Sequence, residues 1–251
     1  MQTRPAAERV PSVDIAILNH RIEETRSILD RAIAQHANGT DGTDASLVLA
    51  SSLGAEDMVL TDLILKHHLP IQIFTLDTGR LNEQTLRVLA RVKENYGTAI
   101  RVYFPEAEGV EHLVASQGIN GFYESMEARK ACCRIRKVLP LKRALSGRRA
   151  WITGLRREQS PTRSELAIEA WDEDHQLAKW SPLADWSEAE VWAYIKTHKV
   201  PYNALHDQGF LSIGCAPCTR AVQEGEDARA GRWWWEHPES KECGLHVSSD
   251  K

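Results

Sequence analysis

Apolar residues along this chain fall into short runs separated by longer amphipathic stretches. "SLVLA" over 46–50, "IQIFTLD" over 71–77, "AIRVYF" over 99–104 and "RAWITG" over 149–154 are brief, rich in branched or aromatic residues and flanked by polar turns, so each is predicted to be a strand. Between them, 56–68 ("EDMVLTDLILKHH") and 82–96 ("NEQTLRVLARVKENY") show helical spacing, and more helical material precedes the fourth strand. Alternation of this kind predicts an α/β fold: an open, mainly parallel sheet with helices on both faces, binding ligands beyond the carboxyl ends of its strands. The stretch 187–198 predicts a further helix, opened by a capping box of Ser187 and Glu190, with Val191, Tyr194 and Ile195 on one stripe. Beyond Pro201, Gly, Cys and Trp dominate and periodicity fades, which predicts loops, short helices and a mobile tail. The organisation expected is an N-terminal helical extension over 1–44, an α/β domain over 45–236 and a flexible tail over 237–251.

Composition narrows the setting. With 251 residues and 42% hydrophobic content the chain can bury a full core. A net charge of −4 argues against generic nucleic-acid binding, which needs an extended basic surface. The opening "MQTRPAAERVPSVDIAI" has no apolar leader, and no uncharged run is long enough to span a bilayer, so a soluble cytoplasmic protein is expected. Five cysteines is an odd number, and in a reducing compartment it favours a metal site or a reactive thiol over disulfides.

Three groups of residues carry chemistry. In "ASSLGAEDMVL" a strand runs through a Ser/Gly turn into a helix, where main-chain N–H groups beside the Ser51 and Ser52 hydroxyls predict an anion cradle, or else an ordinary capped turn. It is not a Walker A loop, since no Gly-Lys-Ser/Thr follows. The next turn, "LDTGR" over 76–80, could grip the same nucleotide. Two cysteine pairs follow, Cys132-Cys133 in "RKACCRIRK" and Cys215-Cys218 in "SIGCAPCTR". Adjacent helical side chains point about 100° apart, which strains a single zinc ion and favours a wider [4Fe-4S] cluster; zinc and unligated buried thiols stay open at this point. The segment 129–149 carries nine Lys or Arg and no acid, and 154–163 adds three arginines, as if to hold a multiply anionic small substrate. Finally, Cys243 stands in "KECGLH" beside Gly244, with Lys241 and His246 favouring thiolate and Glu242 opposing it, on a tail able to swing between a substrate and a reductant. The three tryptophans of "RWWWE" cannot all face one core, and a structural role is expected for them.

From about residue 45 to 246 the chain resembles the assimilatory adenylyl-sulfate (APS) reductases, the iron–sulfur branch of the APS/PAPS reductase family. The resemblance lies in the Ser/Gly loop, "LDTGR", "CCRIRK", "ITGLRREQSPTR", "VPYNALHDQGFLSIGCAPCTR", "AGRWWWE" and "ECGLH". It implies an adenine-nucleotide α-hydrolase-like fold, a [4Fe-4S] cluster on Cys132, Cys133, Cys215 and Cys218, and Cys243 as nucleophile. It further implies that Lys137, Arg163, Arg229 and Arg232 contact phosphate and sulfate, while Ser51, Ser52, Gly54, Leu76, Thr78 and Gly154 line the nucleotide site. Leu53 departs from the small polar residue common at that place, leaving the main chain to supply a contact. The activity implied is reduction of APS to sulfite and AMP through an S-sulfocysteine, with reduced thioredoxin as electron donor and a dimer or tetramer as a frequent assembly. Rival readings are a PAPS reductase and an ATP-dependent tRNA sulfur-insertion enzyme with a cluster. The second is disfavoured by the charge and by the single glycine of "SSLGAED". A cluster-controlled DNA-binding regulator is also disfavoured, since no helix-turn-helix signal is visible.

Overall fold

The computed structural model describes residues 10–37, 46–160, 163–223 and 225–236, so Cys243 and the rest of the expected tail lie outside the described residues. The chain opens with α1 (Ile15–His36), started by Asp14, whose carboxylate accepts the Ala16 N–H at 2.7 Å. There follow β1 (Leu47–Ala50), α2 (Ala55–Lys66), β2 (Gln72–Leu76), α3 (Glu83–Tyr96), β3 (Arg101–Tyr103) and α4 (Ala107–Gln117). Then come α5 (Met126–Cys133), a wide π-helical turn (Arg134–Val138), α6 (Leu139–Leu145), β4 (Ala150–Ile152), β5 (Glu169–Asp172), β6 (Leu177–Trp180) and α7 (Glu188–His198). The four strands and three helices anticipated by periodicity are all present, with ends shifted by at most two residues. The Ser187–Glu190 capping box forms as expected, and Val191, Tyr194 and Ile195 are buried.

The six strands run β3-β2-β1-β4-β6-β5, parallel except for the β5–β6 hairpin. Alternation along the strands feeds two apolar layers. Leu47, Leu49, Ile73 and Ile152 join Met58, Val59 and Leu63 of α2, Leu18 and Leu29 of α1, and Val191 and Ile195 of α7. Val48, Phe74 and Trp151 point the other way, onto Leu141, Ala144 and Leu145 of α6. Each such side chain contributes about 1.5–3 kcal/mol when fully buried, so helices are held on both faces. At the lower end of α2, buried Asp62 accepts the hydroxyls of Tyr96 at 2.6 Å and Tyr194 at 2.7 Å, pinning α3 and α7 to α2.

The order of strands locates the site. From β1 the chain builds outward through β2 and β3, then returns to place β4 on the opposite flank of β1. The loops leaving β1 and β4 therefore diverge, opening a crevice above their carboxyl ends.

Candidate active site

That crevice is a cavity of about 1040 Å³. It is lined by Ser51, Ser52 and Gly54 after β1, Leu76 and Thr78 at the end of β2, Lys137 in the π turn, Gly154 after β4, and Arg163, Arg229 and Arg232 from later loops. The structure thus brings all ten of these sequence-singled residues to one chamber, with Cys215 in its wall.

Of the two readings open for the Ser/Gly turn, the structure shows the internally capped turn. Asp57, in the first turn of α2, folds back so that its Oδ2 accepts both the Ser52 N–H and the Ser52 hydroxyl at 2.6 Å, while Oδ1 accepts the Gly154 N–H at 3.1 Å. Ser51 and Ser52 hydroxyls take the N–H groups of Leu53 and Gly54 at 3.2 and 3.3 Å. An internal carboxylate therefore occupies donors that a phosphate would need. Burial pushes the Asp57 carboxyl up to about 6, with neighbouring Glu56 adding to the rise and the Ser52 and Gly154 bonds opposing it. Leu53 adopts φ 62° and is buried in the main core, outside the cavity wall, so its departure from the family pattern alters no lining contact. Sequence reading missed Asp57 because an acid at a helix start reads as a simple complement to the helix dipole.

Positive charge also lines the cavity, more selectively than the sequence suggested. Of the nine cations in 129–149, Lys137 is the one that lines the cavity among the described residues. Arg136 donates to the Thr78 carbonyl at 2.7 Å, Arg143 is tied to Glu106, and Arg129 is buried with Glu236. Arg156 is likewise committed, to Glu56, Glu158 and the Trp186 carbonyl. Arg163 donates to Gln159 Oε1 at 2.5 Å, which also takes the Arg156 N–H, so Gln159 positions the arginine. Arg232 lies over the Trp233 ring and passes Gly214 so closely that a Cβ there would come within 2.5 Å of its Nη2.

Cys132, Cys133, Cys215 and Cys218 are thiols, none in a disulfide. Cys215 and Cys218 form an apolar nest with Phe122 and Trp233, against which Cys132 packs. Thr78 Oγ1 lies 3.2 Å from the Cys215 sulfur, and the Arg80 carbonyl accepts the Ala216 N–H, which fastens "LDTGR" to the CxxC loop. Burial raises the Cys218 thiol to about 12, helped by the sulfurs of Cys215, Cys133 and Cys132. Burial acts on Cys215 in the same sense, but Lys137, Thr78, Arg232 and Arg136 outweigh it and hold that thiol below its usual range. Among the described residues no three His, Cys, Asp or Glu side chains are gathered tightly enough to hold a single metal ion. The donor set still suits a thiolate-bound cluster: two sulfurs from the end of α5 and two from the CxxC loop feel one another's charge beside Lys137 and Arg136. Of the tryptophans, Trp233 is buried and Trp234 is 49% exposed, matching the expectation that they do not share one core.

A switch-point crevice lined by small polar residues and cations, with the Cys215 thiol in its wall, marks an adenine-nucleotide α-hydrolase-like fold with a cysteine centre. Residues 46–221 match the phosphoadenosine phosphosulfate reductase domain, and the chain belongs to that family, among the adenosine 5'-phosphosulfate reductases. It is 61% identical over 201 residues to the adenosine 5'-phosphosulfate reductase of Allochromatium vinosum, covering 80% of this chain and 78% of the relative. It is 54% identical over 221 residues to the enzyme of the same name from Burkholderia cepacia, covering 88% and 87%. Among solved structures, the phosphoadenylyl-sulfate (PAPS) reductase of Candida auris in its phosphate complex superposes with a TM-score of 0.65 at 26% identity, over 84% of this chain and 99% of that one. No helix among the described residues is long and apolar enough to cross a membrane.

Proposed function

We propose that this chain is an oxidoreductase of assimilatory sulfate reduction that converts APS to sulfite and AMP, with Cys243 as nucleophile and reduced thioredoxin as electron donor. The observation that carries the reading is that one cavity joins small polar and main-chain groups to four cations. Its Ser51–Ser52–Gly154 group has its donors filled by Asp57 and suits an uncharged adenosine. Lys137, Arg163, Arg229 and Arg232, which line the same cavity, suit the phosphosulfate, where guanidinium forks match anionic oxygens.

The Cys243 thiolate attacks the sulfate sulfur, the bond from that sulfur to the phosphate oxygen breaks, and AMP departs with the electron pair. The four cations offset the repulsion between an anionic substrate and an incoming thiolate, and stabilise the charge gathering on the leaving phosphate. A thioredoxin thiolate then attacks the Cys243 sulfur, sulfite leaves with the bonding pair, and the second thioredoxin thiol releases Cys243 as a disulfide forms on thioredoxin. Cys132, Cys133, Cys215 and Cys218 would hold a [4Fe-4S] cluster, which when bound supplies structural closure and a fixed charge beside Lys137, with no change of oxidation state required.

The test is an anaerobic assay of sulfite and AMP release with APS or PAPS as substrate and thioredoxin as reductant. APS should be strongly preferred. Preference for PAPS at equal concentration, or dependence on ATP, would overturn the assignment.

A further inference from the structure

One buried ion pair joins the thiol centre to the start of the segment that carries Cys243. Arg129 lies one helical turn before Cys133 on α5 and is only 1% exposed. Its Nε and Nη2 donate to Glu236 Oε1 and Oε2, both at 2.8 Å, in a two-pronged fork. The guanidinium lies 4.7 Å from the centre of the Trp233 ring, and Cys133 adds a further side-chain hydrogen bond. Trp233 is itself fixed by its N–H to the Cys218 carbonyl at 3.1 Å, and Glu236 closes the turn with its N–H to the Trp233 carbonyl at 2.8 Å. One guanidinium thus holds together the helix of the first cysteine pair, the loop of the second, and the last described residue of the chain. Neither Arg129 nor Glu236 lines the cavity.

We propose that Arg129 and Glu236 form a clamp that fixes the point from which the Cys243 segment departs, which makes both of them positioning residues for sulfur transfer. The inference rests on the reading of Cys243 as nucleophile. Cys243 is seven residues beyond Glu236, a tether of at most about 25 Å at 3.3–3.6 Å per residue. The local concentration of the thiol at the sulfate end depends on where so short a tether is rooted, and it falls when the root is displaced or the tether lengthens. A fork is needed because two parallel bonds fix direction as well as distance, which one ammonium contact would not do. This arrangement also gives the cysteine-pair helix a task beyond holding its ligands: it supplies the cation that roots the nucleophile's segment.

The test uses the full chain, purified anaerobically with its iron, and the variant Glu236→Gln, which keeps shape and removes charge. Four quantities are read: visible absorbance and iron content, AMP affinity by titration, KM against kcat with APS, and single-turnover sulfonation of Cys243 by peptide mass. Iron content and AMP affinity should stay within twofold of wild type, KM should hold, and sulfonation and kcat should both fall by about tenfold or more, as misplacement of a reacting group demands. Glu236→Asp, which restores charge on a shorter arm, should recover part of that rate. If Glu236→Gln fails to load iron, Glu236→Asp alone carries the test through its sulfonation rate at unchanged AMP affinity. Sulfonation at the wild-type rate, or a parallel loss of AMP affinity, overturns the clamp and leaves the role of Cys243 intact. A sulfonate found on another cysteine overturns that role and the clamp with it.

Discussion

Gly154→Ala tests whether the filled seat at the head of α2 shapes the nucleotide end of the cavity. A Cβ on residue 154 would overlap Asp57 Oδ1 and stand 3.1 Å from both the Asp57 nitrogen and the Glu56 Cβ. The carboxylate tip must swing away or the β4 loop must lift, and either movement breaks the 3.1 Å bond from the Gly154 N–H. Overpacking costs about 1–3 kcal/mol. Leaving a buried N–H unpaired costs about 1–3 kcal/mol more, so the native state should lose roughly 2–6 kcal/mol. Ser52 shares the same carboxylate, so the displacement reaches both loops that would embrace adenosine. AMP affinity, measured calorimetrically under argon, should therefore weaken at least about tenfold, equivalent to 1.4 kcal/mol. Visible absorbance of the thiol centre should be unchanged. The double variant Asp57→Ala/Gly154→Ala removes the obstructing oxygen and should be more stable than the sum of the single effects by about 0.5–3 kcal/mol. AMP binding within twofold of wild type for Gly154→Ala, or strict additivity in the double variant, would refute the reasoning.

The raised Asp57 carboxyl fixes a sign for pH dependence: its ordinary value is 3.8 and its folded value about 6, so the unfolded chain releases that proton first as pH rises. Stability should decline across that window by about 3 kcal/mol at 1.36 kcal/mol per unit and stay lower above it. The gap between wild type and non-titrating Asp57→Asn in urea unfolding should shift by about 2.4 kcal/mol from pH 4 to 7, since the loss has begun by pH 4, and a flat gap would contradict it. Tyr194→Phe removes the 2.7 Å bond to buried Asp62 and should cost about 1–3 kcal/mol in thermal unfolding, with AMP affinity unaltered because Asp62 sits at the far end of α2 from the cavity. Cys243→Ser should keep the thiol-centre absorbance and AMP binding yet form no adduct, since a serine alkoxide is scarcely populated near neutral pH; full turnover would place the nucleophile elsewhere. Protein purified anaerobically should carry about four iron and four sulfide per chain, and stoichiometric zinc without sulfide would exclude the cluster.

Much of the fold could be read from the chain because its central strands are buried on both sides. Leu47, Val48 and Leu49 are all apolar since neighbouring faces of β1 meet different helix layers, and a continuous apolar run bounded by turns is a strong strand signal. The β5–β6 hairpin went unread for the opposite reason. It forms the edge of the sheet, its outer strand reads Glu169, Ala170, Trp171 and Asp172, and Trp171 is 56% exposed, so no alternation survives in the sequence. At the site, the cysteine pairs and arginines declare themselves by residue type. Asp57 and Glu236 do not, because their meaning lies in partners 97 and 107 residues away that share no local pattern with them.

The helix from Met126 to Leu145 is interrupted only by the wide turn at Arg134–Val138. Such a turn is what an α-helix becomes when it accommodates one more residue between fixed ends. Here the ends are fixed by unrelated demands. Upstream, Cys132 must face the thiol nest; downstream, Leu141, Ala144 and Leu145 must face Val48 and Trp151 of the sheet. Deleting one residue within 134–138 would let the stretch return to plain α-helix with its ends in place, whereas deleting one from either flanking α-helix would turn one end against the other by about 100° and draw it in by about 1.5 Å. Arg136 and Lys137, though adjacent, both hold down the Cys215 thiol. The two α-helical flanks therefore behave as a fixed count, and indels compatible with function should fall in the loops before Met126 or after Leu145, or remove the one surplus residue of the wide turn.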